Sequence, residues 1–375
     1  MKEDWKECKL GDVILFKNGK KRLSSIGNIP VYGGNGILGY SNESNHANCI
    51  IVGRVGAYCG NVFYEKNNCW ISDNAIVGLP NINNDIRFCY YLISQLQLNK
   101  RCIGTGQPLL TQEILNRIDI LLPPLATQQK IAQILSSLDD KIELNNKINN
   151  NLEQQAQAIF KSWFVDFEPF GGVMPEGWRI GKLSDIGTII GGSTPSKAKT
   201  EYYTNNGIAW ITPKDLSNDK SKFISHGEID ITELGFENSS AIKMPTGTVL
   251  YSSRAPIGYI AIAKNEVTTN QGFKSVIPNV NVGNGYIYYF LKSNYELIDS
   301  LASGSTFKEI SGSAMKNVPV LVPDEQTLLD FQSFCFGIFD KQEKLEEENR
   351  NLASLRDTLL PKLMSGEIDV ESVKI

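Results

Sequence analysis

The chain contains two copies of one long unit, and that duplication constrains its fold more than any other feature. Trp5 precedes Lys9-Leu10-Gly11-Asp12, and Trp178 precedes Lys182-Leu183-Ser184-Asp185. Further on, Cys89-Tyr90-Tyr91-Leu92 resembles Ile287-Tyr288-Tyr289-Phe290. Ile120-Leu121-Leu122-Pro123 likewise matches Val320-Leu321-Val322-Pro323. The copies are offset by 173 residues at their start and by 200 at their end, so the second carries about 27 extra residues in its globular part. A period this long excludes a solenoid of short repeats and points to a duplicated domain-plus-helix unit.

Each copy ends in a predicted long helix. In the first, Ile131, Leu135, Leu138, Ile142, Asn145, Asn149, Leu152, Ala156, Ile159 and Trp163 alternate steps of four and three. That spacing is a coiled-coil seam. In the second, Phe331, Cys335, Ile338, Gln342, Leu345, Asn349, Leu352, Arg356, Leu359 and Leu363 hold the same register, with Asn349 matching Asn149. A duplicated seam predicts that the two helices pack on each other, with the Asn residues fixing register at some cost in stability. The alternative is two amphipathic helices, each on its own domain. Pro123-Pro124 and Pro323 permit a helix start soon after, and Glu168-Pro169-Phe170-Gly171-Gly172 breaks the first helix. Pro361 should kink or stop the second. Helices of about forty residues would span ~60 Å.

The globular parts read as mixed α/β with short strands, among them Cys49–Val52, Ile76–Leu79, Thr248–Tyr251 and Ile260–Ala263. One helix per copy is expected, over Ile86–Leu98 and Gly285–Leu297. With 375 residues and 41% apolar content, two or more domains with real cores are expected. No apolar run reaches the ~20 residues of a membrane helix. The segment Met1–Leu10 is too polar for a secretory signal, so a soluble, cytoplasmic protein is expected. Seven cysteines stand without a CxxC pair, and His46 and His226 lie far from matching ligands. Reduced cysteines acting as small hydrophobes, and no metal, are the expectation.

Catalytic signatures are missing. Gly34-Asn35-Gly36-Ile37-Leu38-Gly39 fits GxGxxG, but polar Ser41–Asn45 follows it where a helix should begin. There is no GxxxxGK[ST] loop, no Asp/Asn-Pro-Pro-aromatic methyltransferase motif and no recognisable paired-carboxylate nuclease pattern. Ser72 and Ser253 lack a His/Asp partnership. A duplicated chain without catalytic signatures reads as a binding module.

The net charge of -4 is unevenly spread. Residues 1–122 sum to +3 and residues 123–165 to 0. Residues 166–322 sum to -1, residues 323–366 to -4 and residues 367–375 to -2. Basic residues in the globular parts sit on Gly/Asn/Ser/Thr-rich stretches. The first copy has Lys17-Asn18-Gly19-Lys20-Lys21-Arg22; the second has Gly191-Gly192-Ser193-Thr194-Pro195-Ser196-Lys197 and then Lys199. Such loops combine backbone N–H groups, hydroxyls and cations, which suits phosphate contact. Arg54, near Tyr58, parallels Arg254, near Ser253 and Tyr259; an Arg beside Gly can grip a base or phosphate with two bonds. Asn74, and Gln271 after Asn270, carry amides able to read adenine edges. Each has a structural alternative: a solvated turn for Lys20–Arg22, ion pairs for the two arginines, turn caps for the amides.

These residues resemble a known family, the specificity (S) subunits of type I restriction-modification enzymes, over essentially the whole chain. The resemblance rests on Gly191-Gly192-Ser193-Thr194-Pro195, on Ile208–Leu216 with Trp210 and Lys214, and on Ser253-Arg254-Ala255-Pro256-Ile257-Gly258. It also rests on Leu122–Gln129, Phe160–Phe167 and Leu359–Gly366. The first copy departs from the pattern, with Lys17-Asn18-Gly19-Lys20 in place of Gly-Gly-Ser-Thr-Pro, so the two domains should read different half-sites. The resemblance implies an α+β architecture. Target-recognition domains at 1–122 and 169–322 alternate with helical spacers at 123–168 and 323–366, and a C-terminal tail follows at 367–375. It implies antiparallel pairing of the helices about a pseudo-two-fold axis. It implies double-stranded DNA as ligand, two methyltransferase (M) subunits docked on the helices, and restriction/translocase (R) subunits. S-adenosylmethionine, ATP and magnesium would sit on those partners, with no cofactor and no chemistry on this chain. The alternatives are a non-catalytic tandem scaffold for a non-DNA ligand and a single-chain methyltransferase-nuclease. The latter conflicts with the missing motifs.

Overall fold

Each copy closes on itself through a two-stranded antiparallel ribbon. Lys6–Lys9 pairs with Asp119–Leu122, and Arg179–Lys182 pairs with Pro319–Val322. Just before each ribbon a tryptophan, Trp5 or Trp178, is buried in the domain core. The computed structural model describes residues 4–23, 26–104, 106–304 and 308–370. The last part of the predicted tail, 371–375, lies outside the described residues. The chain forms two units: residues up to Glu143 together with those from Arg350 on, and Leu144–Asn349. Both long helices therefore contribute to both units.

In the first unit a six-stranded sheet runs in the order Ile14–Asn18, Ala75–Pro80, His46–Gly53, Val62–Ile71, Ile29–Gly33, Gly36–Ser41. All neighbours are antiparallel except Ile29–Gly33 against Val62–Ile71. The GxGxxG-like stretch is the hairpin between the last two strands, where Gly36 takes φ +85°. Asp85 caps helix Ile86–Gln95 by accepting from the Phe88 N–H at 2.9 Å. Phe88 and Leu92 on that helix face Leu10, Ile14, Ile50, Ile131, Leu135 and Leu363 in one core.

The second unit holds a five-stranded sheet in the order Gly187–Gly191, Lys274–Pro278, Val249–Ser253, Ile257–Ala263, Phe223–Ile224. Its first pair repeats the register of the first unit. Asn18 lies opposite Ile76 there, and Gly191 lies opposite Lys274 here. The core is aromatic: Phe164 meets Tyr286 edge-on at 4.9 Å and Phe331 at 5.0 Å, and Phe160 lies 5.6 Å from Tyr286.

Backbone hydrogen bonds locate the extra length of the second copy. The Lys20 N–H donates to the Ile71 carbonyl at 3.0 Å, and the Ser193 N–H donates to Thr269 at 2.9 Å. Between those points the offset grows from 173 to 198, so about 25 of the extra residues fall there. They build the small ribbon Tyr203–Thr204 with Asp230–Ile231 and the helix Pro213–Asn218, whereas the parallel pair Trp210–Ile211 with Thr268–Thr269 repeats Val31–Tyr32 with Trp70–Ile71 of the first domain.

The long helices are continuous over Leu125–Phe164 and Glu325–Met364. Among the described residues no helix is long and apolar enough to cross a membrane. Of the two expected effects of Pro361, a kink or a stop, the stop does not occur: the second helix runs on past it. The proline sits in the last turn, where losing its one N–H bond costs little before Gly366 turns the chain at φ +67°. The seam is also corrected at its end. Of the positions singled out for the seam, Ile131, Leu135, Asn145, Phe331, Cys335, Ile338, Gln342, Leu345 and Leu363 are buried. Near the end of the first helix, however, Ala156, Phe160 and Phe164 form the buried row, and Leu152, Ile159 and Trp163 pack at its margin. Steps of four replace the heptad because the large Phe rings fill the domain core there.

Polar contacts link the helices within each unit. In the first, Arg356 pairs with Asp139 at 2.7 Å. In the second, Asn145 donates to Asn349 at 3.0 Å and to Glu348 at 2.9 Å, and Gln342 donates to the Asn149 carbonyl at 3.1 Å.

The cysteine expectation needs one correction. Cys59 and Cys102 form a disulfide between sequence positions 43 apart, because the turn after Gly56–Tyr58 lies against the Leu98–Arg101 helical turn. Cys49, Cys69, Cys89 and Cys335 are free and buried, as small hydrophobes would be.

Candidate nucleic-acid interface

The second domain folds its inserted segment into a groove of about 670 Å³. Thr194, Lys197, Lys214, Arg254, Asn270 and Gln271, all singled out from the sequence, line it together. They arrive from four separate stretches of chain. Gly192 is what allows this: a Cβ there would lie 2.0 Å from the Asn270 carbonyl oxygen, so only glycine lets the two loops meet. The floor is braced from below. Trp210 Nε1 donates to the Ser193 carbonyl at 3.0 Å, and Tyr203 Oη donates to the Pro195 carbonyl at 2.6 Å.

Buried Asp215 organises one wall. Its carboxylate accepts from the Thr212 N–H at 2.7 Å and from the Glu228 N–H at 2.8 Å, which fixes the start of helix Pro213–Asn218. Lys214 projects from that start and reaches Glu228 at 2.6 Å, with its side chain 68% exposed. On the opposite wall Arg254 pairs with Glu309 at 3.2 Å, and Glu309 also holds Lys274 at 3.3 Å. The ion-pair alternative for Arg254 is thus realised, yet one carboxylate shared by two cations leaves that wall positive. Thr194 Oγ1 donates to the Gln271 side-chain oxygen, which steadies an exposed amide at the groove mouth. Lys197 has no ion pair among the described residues. The groove therefore offers free or shared cations, oriented amides and an aromatic floor, the combination that grips a phosphate backbone and reads base edges.

Other second-domain candidates fall away from the groove. Ser253 is fully buried; its N–H donates to Gly272 at 2.7 Å, so its role is structural. Ser193 contributes its carbonyl to Trp210 and does not line the groove. Lys199 folds over Tyr202, with its ammonium 3.0 Å from the Tyr202 hydroxyl. Tyr259 contacts Ser217 at 3.4 Å.

The first domain places its candidates in two groups. Lys17 and Asn18 are exposed on the edge strand Ile14–Asn18, with Lys20, Lys21 and Arg22 just beyond; Arg22 donates to the Leu38 carbonyl at 2.7 Å. Arg54, Tyr58 and Asn74 gather around the hairpin at Gly34: the Arg54 N–H donates to the Asn74 carbonyl at 3.0 Å, and Tyr58 is 47% exposed.

The proposed pairings between copies shift by a residue or more. The bond from Arg54 N–H to Asn74 corresponds to that from Ser253 N–H to Gly272. Arg54 is thus the counterpart of Ser253, and Asn74 that of Gly272. Matching letters across the offset of 200 hid this, because the offset is 199 at Arg54 and 198 at Asn74.

Sequence reasoning missed Tyr203, Trp210, Thr212, Pro213, Glu228 and His46. Trp210 through Pro213 lay inside a recognised motif, from which only Lys214 was selected. His46 carries a different signal: burial lowers its pKa, and Lys17 and Lys20 push it the same way, so all three share one electropositive patch.

The family model described as the type I restriction modification DNA specificity domain matches residues 2–154 and 175–351. The MjaIX specificity subunit of Methanocaldococcus jannaschii is 41% identical over 191 residues, 49% of this chain and 44% of that protein. The chain thus spans less than half the length of that relative. The HindI specificity subunit of Haemophilus influenzae is 29% identical over 330 residues, 70% of this chain and 71% of that protein. The crystal structure of a type I restriction-modification S subunit from M. genitalium covers 96% of each chain at TM-score 0.62 and 20% identity, a likeness of fold. With both globular domains matched by the family model, the chain belongs to the type I restriction-modification DNA specificity family.

Proposed function

We propose that this chain is the DNA-reading subunit of a type I restriction-modification complex and performs no chemistry itself. Each globular domain reads one half of a bipartite double-stranded target. The observation that carries this is the groove of the second domain, where Lys197, Lys214 and Arg254 surround the amides of Asn270 and Gln271. The Lys17–Arg22 strip and the Arg54/Tyr58/Asn74 group play that part in the first domain, on different chemistry and hence for a different half-site.

The two long helices act as the spacer, paired antiparallel as a coiled coil about a pseudo-two-fold axis. The side-chain contacts support this: positions 139, 145 and 149 of the first helix meet 356, 349 and 342 of the second, one series rising as the other falls. Two methyltransferase subunits dock on the helices and bring S-adenosylmethionine to an adenine. Restriction/translocase subunits bring ATP and magnesium. The assembly works in the cytoplasm on host and incoming DNA. The two domains together carry only +2, so the partners supply most phosphate neutralisation.

The test uses the chain assembled with its methyltransferase partner. Gln271→Ala should relax the methylated sequence at one position of one half-site, by roughly 10- to 100-fold in discrimination, and leave the other half-site unaltered. Methylome sequencing of an expressing host reads both. An unchanged target, or relaxation in both halves at once, would count against the assignment of the groove.

A further inference from the structure

A second cleft of about 400 Å³ opens on the outer edge of the second domain's sheet, lined by Ile189, Gly191, Lys274, Gly312, Ser313 and Lys316. The two domains treat this place differently. In the first domain the edge strand Ile14–Asn18 is plugged by Gln112. With its amide oriented to suit both partners, Gln112 donates to the Phe16 carbonyl at 3.2 Å and accepts from the Asn18 N–H at 3.1 Å. The matching position in the second domain is Gly312, since Thr111 and Ser311 cap equivalent short helices. Among the described residues no side chain fills the gap there. A Cβ on Gly312 would meet only the Lys274 stem, at 3.9 Å, and one on Gly191 would meet nothing.

Strand register shows what the gap exposes. The Asn279 N–H donates to the Ile186 carbonyl, so stepping by two residues turns Ile189 and Gly191 outward, away from the neighbouring strand. The Gly191 N–H therefore occupies the place of the Asn18 N–H, without the amide oxygen that satisfies it in the first domain. Two ammonium groups border it. Lys274 shares Glu309 with Arg254, and Lys316 is exposed with no ion pair among the described residues. Where the first domain has Ile76 and Asn116, the second thus has Lys274 and Lys316. A backbone donor beside two cations and a hydroxyl, with walls made of glycine, suits an anion with several acceptor oxygens. Through Glu309 and Arg254 this cleft joins the wall of the reading groove.

We propose that the cleft seats a phosphodiester of the DNA backbone flanking the second domain's half-site. This rests on the DNA-reading assignment made above. The cleft contributes grip and positioning without base selectivity, and the first domain, plugged by Gln112, has no equivalent.

The test is DNA binding by the assembled complex as a function of salt, on duplexes with and without the methylated sequence. Lys316→Ala should lower the slope of log affinity against log salt by about 1, weaken binding on all duplexes alike and leave the methylated sequence unchanged. Gly312→Gln, which recreates the first domain's plug, should weaken binding in the same uniform way; Lys316 is exposed, so its loss leaves folding intact. If the wild-type assembly selects its sequence but Lys316→Ala keeps the wild-type slope, the cleft is not a phosphate site, and the reading groove stands. If the wild-type assembly shows no sequence preference on DNA, the reading assignment falls and the cleft proposal with it.

Discussion

Glu153→Ala is expected to destabilise the second unit by about 3 kcal/mol or more, because it strands a buried cation. Lys222 is only 6% exposed along its side chain. Its ammonium binds Glu153 from the first long helix, Gln342 at 2.7 Å from the second, and the Tyr289 hydroxyl at 3.0 Å. It also lies over the rings of Phe339 at 4.4 Å and Tyr288 at 4.8 Å. Removing the carboxylate leaves the desolvation cost without its main compensation. Urea unfolding of the full chain measures the loss. A double substitution, Glu153→Gln with Lys222→Met, removes both charges and should recover much of it. A double variant as unstable as Glu153→Ala would show that the charge is not the cause.

The same pair predicts an acid limb. Burial alone would raise the Glu153 pKa, but the Lys222 and Lys292 ammonium groups outweigh it and hold the carboxyl at about 2 against an ordinary 4.5. A depressed carboxyl pKa stabilises the fold above the unfolded value and loses that contribution as pH falls through the folded value. Stability should therefore drop by about 3 kcal/mol between pH 4.5 and pH 2 on account of this group. Glu153→Gln should lack that component. An identical acid limb in the variant would assign the loss to other carboxylates.

Lengthening both long helices by one heptad should widen the methylated bipartite target without altering either half. The insertions belong between Asn145 and Leu152 and between Gln342 and Asn349, where the helices exchange hydrogen bonds. Seven residues add about 10.5 Å of helix. At 3.4 Å per base pair that is about 3 base pairs of extra gap. Methylome sequencing gives the gap directly. An unaltered gap would refute the spacer role, and altered half-site bases would show that the helices influence reading.

The repeated frame was legible in the sequence because it rests on pattern. Ile131, Leu135, Phe331 and Cys335 recur at heptad spacing, and the helices appear where that spacing places them. The pattern misled where side-chain volume took over: Phe160 and Phe164 displace Ile159 and Trp163 because the rings of Tyr286 and Phe331 need partners. The candidate site was half legible. Residue type singled out Thr194, Lys197, Lys214, Arg254, Asn270 and Gln271, and the fold brings them to one groove. Type alone could not tell exposed Gln271 from buried Ser253, which differ in where the chain turns and not in local composition. Nor could it reveal that Trp210 forms the floor, since a tryptophan among apolar residues looks like any core residue.

The two closing ribbons have a consequence for how such a chain can change. Lys6 lies opposite Leu122, and Arg179 lies opposite Val322, so each reading domain begins and ends at a single place. A domain attached that way is a detachable cassette. It can be exchanged for another of different length, as the 25-odd extra residues of the second copy already illustrate, while the stem receives the same two strands. New addresses can then arise by recombination of whole cassettes, with no residue of the helical stem having to mutate.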